Sequence, residues 1–193
     1  LYLFLLAKKI KSPIGHPCPS IITQLPLPID YCLAQLTVTA KKIGLTSIAH
    51  NSASLVLSTY LSLDLEAPIA YRNKLDYFYF PAELLLNSNP AMLKLIIQNL
   101  MIYAETMEIK TVQSSSSFPA SLSTNHYPAL KMIRANTLAV QLAMFLKNDK
   151  LLFETTEYLS RRMIPFLGLS DAFPLLFPPL LLLNVAISSV SPS

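Results

Sequence analysis

The nitrogen and sulfur ligands that this sequence offers to a metal ion are three histidines and two cysteines: His16, His50, His126, Cys18 and Cys32. A structural zinc site needs about four such ligands in short-spaced pairs. His16 and Cys18 have that spacing, but together with Cys32 they supply three ligands at most, within a proline-rich stretch. We therefore expect neither a metal ion nor another cofactor.

Carboxylates occur in pairs on two predicted helices, as Glu105 with Glu108 and as Glu154 with Glu157. Helical bundles that bind two iron ions use Glu-x-x-His on two helices, so that carboxylates and imidazoles converge in the core. Neither pair here has its histidine. Arg161 follows Glu157 by one helical turn, the spacing of a helix-stabilising ion pair. We interpret these carboxylates as solvated helix faces.

The parts of a catalytic or nucleotide-binding site are also missing. The sequence has no Gly-x-Ser-x-Gly motif. His50, Ser52 and Asp64 could form a catalytic triad, but a chain with this many serines offers many such combinations. Only three glycines occur, far apart, whereas phosphate-cradling and dinucleotide-binding loops need clustered glycines. We predict that the chain is not an enzyme.

The composition is apolar and the charge is unevenly distributed. Hydrophobic residues make up 52% and charged residues 13%, where a soluble domain has roughly a quarter of its residues charged. Residues 1–42 hold five lysines and one aspartate, which equals the whole net charge of +4. A basic arm bearing Lys8, Lys9 and Lys11 can contact an acidic protein, acidic lipid or nucleic acid.

Four consecutive aromatic residues form a second candidate contact: Tyr77, Phe78, Tyr79 and Phe80. Arg72 and Lys74 precede them, and basic residues interleaved with aromatic ones can bind a nucleic acid. However, two cations that an aspartate separates from the rings are weak evidence for a nucleic-acid site. Such a cluster is more typical of a protein interface or a membrane boundary. The run itself fits either a short strand or the end of a helix.

Local signals predict most of the helices. Asp30 is placed as an N-cap and Gly44 as the glycine after the helix end, with apolar residues at three- and four-residue spacing between them. A second helix is expected from Thr46 or Ser47 past Tyr60. Asn89 and Pro90 begin a third helix. After a serine-rich linker at 112–127, a helical hairpin turns at the LKNDK segment.

These elements predict a mostly α-helical chain, an irregular bundle or short array of about six helices. A basic, proline-rich extended arm is expected at residues 1–29, because five prolines fall within residues 12–29. The helical body is placed at 30–170 and an apolar carboxy-terminal segment at 171–193. Two cysteines define no disulfide framework. They therefore do not decide among a membrane-associated, an intracellular and an organellar location.

The sharpest question concerns the apolar stretch at 172–190, which contains no charged residue. Pro174, Pro178 and Pro179 predict that its usable helix runs only from Pro179 to about Val190, too short for a bilayer core of about 30 Å. We expect this helix to dock on protein, with Leu181 and Leu182 on different sides. An interfacial helix and a kinked span from Met163 to Val190 are the alternatives.

The function that fits best is a non-catalytic accessory or scaffold subunit of a larger assembly, which can be membrane-associated. The alternatives are a small integral or lipid-binding membrane protein and, third, a subunit of an RNA–protein assembly. Expected partners are other protein subunits, with a membrane surface next and nucleic acid not favoured. The residues proposed to contact a partner or lipid are the arm lysines, the aromatic run and three residues of the last segment: Phe177, Leu181 and Leu182.

Overall fold

The computed structural model of the chain describes residues 29–60, 85, 89–112, 127–168 and 172–189. These residues form six α-helices and no strand, as predicted. The helices are α1 (Ile29–Lys42), α2 (Thr46–Tyr60), α3 (Pro90–Val112), α4 (Tyr127–Phe145), α5 (Asp149–Met163) and α6 (Phe173–Ser189), with a short 3-10 turn at Ile164–Phe166. The arm with Lys8, Lys9 and Lys11, the aromatic run at 77–80 and the serine-rich segment 113–126 lie outside the described residues.

The start of α1 differs from the prediction. Asp30 is the second residue of the helix and not its N-cap. An N-cap needs a non-helical backbone to turn its carboxylate back onto the amides of the first turn, and Asp30 has a helical one. Its carboxylate still lies in the first turn, where the helix dipole favours negative charge.

The end of α1 is as predicted. Gly44 has φ +79°, in the left-handed region that glycine adopts without strain. Its N–H donates to the Lys41 carbonyl at 3.1 Å, and the Leu45 N–H donates to the Ala40 carbonyl at 2.8 Å. This is the Schellman arrangement, and it satisfies carbonyls at the helix end while reversing the chain into α2.

The same motif joins α4 to α5 without a glycine. Lys147 occupies the left-handed position, with φ 49°, and the N–H groups of Lys147 and Asn148 donate to the Met144 and Ala143 carbonyls. Asn148 then caps α5, since its side-chain oxygen accepts the Leu151 N–H at 3.0 Å. The predicted hairpin is therefore present.

The beginning of α3 confirms its predicted cap. The Asn89 side-chain oxygen accepts the Ala91 N–H at 2.8 Å. Pro90 takes the first helical position, where the missing N–H removes no intrahelical hydrogen bond. Asn89 also accepts the Leu93 N–H with its backbone carbonyl, at 3.0 Å. A short local sequence thus fixes where this helix begins.

Helices α3 and α4 pack against each other at the centre of the fold. The α1–α2 hairpin packs on α3, while α5 and α6 pack on α4 and on each other. Every side chain from Met132 to Val140 is buried, as expected for a helix surrounded by others. Ala40 of α1 and Ala49 of α2 are buried in one cluster, and their small side chains allow the two helices to approach closely.

Helix α6 corrects the prediction made from its prolines. The helix begins at Phe173, not at Pro179, and contains Pro178 and Pro179 in its interior. Pro174 is in the first turn, where no N–H partner is needed. The other two prolines deprive only the carbonyls of residues 174 and 175 of their usual donors, near the helix start. Both prolines are buried, and this packing offsets the lost hydrogen bonds.

Candidate functional site

One face of α6 carries a row of exposed apolar side chains at four-residue spacing, which we call the apolar stripe. It consists of Phe173, Phe177, Leu181 and Val185, exposed by 58, 52, 49 and 48%. The rings of Phe173 and Phe177 lie 6.2 Å apart between centroids and are tilted by 50°. This surface is continuous along the helix because residues four apart lie on the same side.

The opposite face of α6 belongs to the core of the chain. Leu176, Leu183 and Ala186 are buried there. Leu182 is also buried, at 9% exposure, whereas Leu181 beside it points outward. The predicted placement of these two leucines on different sides is confirmed. Phe177 and Leu181 are therefore accessible for the contact proposed from sequence, and Leu182 is already packed against the chain itself.

A groove of about 540 Å³ lies between α5 and α6, and none of the four stripe residues lines it. Thr156, Ser160 and Ala186 are among its lining residues, and Phe153 and Ile187 also line it. Those last two side chains are 68 and 67% exposed. Sequence reasoning missed both, although a signal existed for Phe153. Phe153 directly follows Leu152 and lies outside the face of α5 that is buried in the core.

Charges are found on only one wall of this groove. From residue 172 to residue 189 the chain has no acidic or basic side chain. On α5, Glu157 lines the groove and accepts a hydrogen bond from the Arg161 guanidinium, as the one-turn spacing predicts. The α6 wall of the groove is therefore apolar, and the ion pair of Glu157 with Arg161 lies on the side of α5.

Polar side chains connect α1 and α2 to α3 on another part of the fold. Lys41 pairs with Glu105. His50 Nδ1 lies 3.0 Å from the Thr106 hydroxyl oxygen, and the imidazole stacks on the Tyr103 ring at 5.1 Å between centroids. Because the Thr106 hydroxyl donates to a backbone carbonyl of its own helix, it is arranged to accept from Nδ1. These contacts join helices and hold the histidine in place.

The triad that could be drawn from sequence is not assembled by the described residues. The Ser52 hydroxyl accepts a hydrogen bond from Thr37 at 2.9 Å and donates to the Ile48 carbonyl at 2.7 Å. Its proton is therefore engaged by backbone, and its lone pair by a threonine of α1. Asp64 lies outside the described ranges. Within those ranges no three His, Cys, Asp or Glu side chains cluster as metal ligands would.

The guanidinium of Arg162, which lies near Glu105, is partly desolvated. Burial lowers the pKa of the Arg162 guanidinium, and the negative charge of Glu105 acts in the opposite direction. Arginine nevertheless keeps its charge throughout the physiological range. Arg162 on α5 and Lys41 on α1 thus place positive charge near the same carboxylate of α3.

Two buried asparagines were also missed by sequence reasoning. Asn99 donates to the Leu95 carbonyl at 2.8 Å and to the Ala34 carbonyl at 3.4 Å. Its side-chain oxygen, and both polar atoms of the Asn136 side chain, have no hydrogen-bond partner among the described residues. Buried polar atoms normally have one. No local pattern distinguishes these asparagines from exposed ones, because their burial depends on neighbouring helices.

In the described part of the chain, no helix combines the length and the apolar content needed to cross a membrane.

Compared with protein-family models, with curated proteins and with solved structures, the chain matches none of them.

Proposed function

We propose that the chain is a non-catalytic accessory or scaffold subunit that docks on another protein through the apolar stripe of α6. The single observation behind this is the division of α6 into two apolar faces. One face packs on α4 and α5, and the other leaves Phe173, Phe177, Leu181 and Val185 about half exposed. Apolar surface arranged in a row on a folded helix is typical of an interaction site.

The energy available from the stripe supports docking within a larger contact. Fully burying a large apolar side chain contributes about 1.5–3 kcal/mol, so four half-exposed ones contribute roughly 4 kcal/mol. Association itself costs at least about 4 kcal/mol in lost freedom of movement. The stripe is therefore suited to be the apolar centre of an interface whose rim supplies further contacts.

The chemistry of α6 favours a protein over a lipid surface as the partner. A helix that lies on a membrane usually has a charged face rich in lysine and arginine opposite its apolar face. α6 has no charged residue, and its second face is already covered by α4 and α5. The lipid-binding alternative remains an outcome of the test below.

A photo-crosslinking amino acid at position 173 tests this function in the cells that express the protein. We expect a discrete adduct with another protein, and we expect Leu181→Asp on the same stripe to abolish it. The matched control places the crosslinker at Gln98, an exposed position of α3, and should give no such adduct. A lipid adduct, retention in membranes after a high-pH carbonate wash, or an adduct that survives Leu181→Asp would each contradict the proposal.

A further inference from the structure

We propose that one end of the fold binds the surface of an acidic lipid membrane through two turns, the α1–α2 turn and the segment that follows α5. The first turn carries Ile43 and Leu45, exposed by 66 and 47%. The second carries Ile164 and Leu167, exposed by 64 and 55%. None of these residues belongs to the apolar stripe, so this surface is separate from the one proposed to dock on a protein.

The two turns have the same order of residue types. In each, two basic residues of the last helical turn come before the exposed aliphatic side chains. The basic residues are Lys41, Lys42, Arg161 and Arg162. Lys42 is exposed, and the Arg161 side chain stays 73% exposed within its ion pair. Residues 39–47 and 158–168 contain no acidic side chain, so the local charge at both turns is positive.

Glu105 of α3 shows that the two turns lie at the same end of the fold. Lys41, two residues before Ile43, pairs with this carboxylate. The negative charge of Glu105 also acts on Arg162, two residues before Ile164. Because both cations lie near one side chain, the turns that directly follow them are neighbours. A single flat surface can therefore contact both.

A membrane surface is complementary to this combination of groups. Segments that bind there place apolar side chains at the boundary between headgroups and acyl chains, and lysine or arginine binds the acidic headgroups. The aliphatic stem of a lysine or arginine can lie along the apolar groups while its charge stays among the headgroups. Such a contact is peripheral, so a high-pH carbonate wash should release it.

The centre of a protein interface usually has a different composition. It is enriched in aromatic residues and depleted in lysine. The large apolar side chains exposed at these two turns are all aliphatic. They also project from two separate turns and do not form a continuous row as the stripe residues do. An acidic lipid surface, which can adapt to separate projections, is therefore the partner that this end of the fold fits.

Flotation of the purified full chain with lipid vesicles tests the charge requirement. We expect binding to vesicles of phosphatidylcholine with phosphatidylserine, weakened by salt, and little binding to phosphatidylcholine alone. Lys42→Glu should weaken binding about fivefold or more, the factor that one cation near an acidic membrane contributes. Lys150→Glu, at an exposed position at the start of α5, is the matched control and should weaken it much less. The arm lysines are present in both variants, so their contribution cancels.

Tryptophan fluorescence tests the insertion of the turn, because the chain contains no tryptophan of its own. We expect the emission of Ile43→Trp to shift to shorter wavelength when vesicles containing phosphatidylserine are added. The emission of Phe145→Trp, an exposed position beside the start of α5, should not shift. Since positions 43 and 145 are both exposed, the helical circular dichroism signal should stay unchanged in both variants.

Three results would overturn the inference: binding to neither kind of vesicle, equal losses in Lys42→Glu and Lys150→Glu, or an unshifted emission of Ile43→Trp. A photo-crosslinker at position 43 tests the alternative partner in the cells that express the protein. We expect a lipid adduct, and a protein adduct without a lipid adduct would also contradict the inference. Each of these results leaves the docking function of the stripe intact, because crosslinking from position 173 tests that function separately.

Discussion

Two residues at the ends of α1 and α4 have the same left-handed backbone and different side chains. Gly44 adopts φ +79° and Lys147 adopts φ 49°. A left-handed conformation costs a residue with a Cβ about 1 kcal/mol, and glycine avoids this cost. The two turns have equivalent hydrogen bonds, so they differ chiefly in this strain.

Exchanging the residue types at these positions should therefore change stability in opposite directions. We expect Lys147→Gly to raise the free energy of unfolding by about 1 kcal/mol and Gly44→Ala to lower it by about the same amount. A Cβ at position 44 would meet nothing within 4 Å, so the backbone conformation alone decides that result. Urea denaturation measures both. A loss of stability in Lys147→Gly would show that the lysine side chain makes a compensating contact.

Asn136 presents a different situation at the residue scale. It is 1% exposed, and both polar atoms of its side chain have no hydrogen-bond partner in the described ranges. A buried polar group without a partner costs about 1–3 kcal/mol. We expect Asn136→Leu, a change to an apolar side chain of similar volume, to raise the urea midpoint. Asn99→Leu is the comparison, and it should gain less because it breaks two hydrogen bonds. A clear destabilisation by Asn136→Leu would show that a group beyond the described residues binds this amide.

At the scale of the element, α6 is an apolar helix with one buried face and one exposed face. Its side chains are apolar on nearly all sides, and only the position of α4 and α5 makes one side interior. The prolines do not prevent this helix, because their missing hydrogen bonds fall near its beginning and the rings are buried. Tertiary packing here outweighs local propensity.

Aspartate substitutions at adjacent positions separate the two faces of α6. We expect Leu182→Asp to destabilise the fold by several kcal/mol, since it buries an unpaired carboxylate. Leu181→Asp should change the free energy of unfolding by no more than about 0.5 kcal/mol, as exposed substitutions usually do. Thermal or urea denaturation of the two purified variants measures the difference. Equal destabilisation by both would contradict the assignment of an inner and an outer face.

At the scale of the whole molecule, the described core is formed by residues from position 29 onward. The basic residues Lys8, Lys9 and Lys11 precede it. We expect deletion of residues 1–28 to leave the helical signal and the melting temperature nearly unchanged. Binding to acidic partners should become weaker, just as it does when added salt screens the charges. Circular dichroism and binding at two salt concentrations measure these effects. Loss of the fold would show that the arm belongs to the core.

Much of the helical organisation could be predicted because the signals are local. Asn89 and Pro90, Gly44, and the turn before Asn148 act within a few residues of themselves, and the structure places helix boundaries at each. The N-cap prediction for Asp30 is wrong by two positions, since Asp30 is the second residue of α1 and Ile29 also has a helical backbone. Such a shift is beyond what capping preferences alone resolve.

Local sequence signals predict the class of the fold and the helix boundaries at caps and turns, and the composition shows how few residues are charged. The packing of the helices is needed to show that Leu182 is buried while Leu181 is exposed, that Asn136 is buried, and that Phe153 and Ile187 line one groove. The physical reason is that helix boundaries depend on hydrogen bonds between near neighbours in the chain. Burial depends instead on helices that are distant in sequence, and no local pattern in a helix as apolar as α6 specifies which side they will cover.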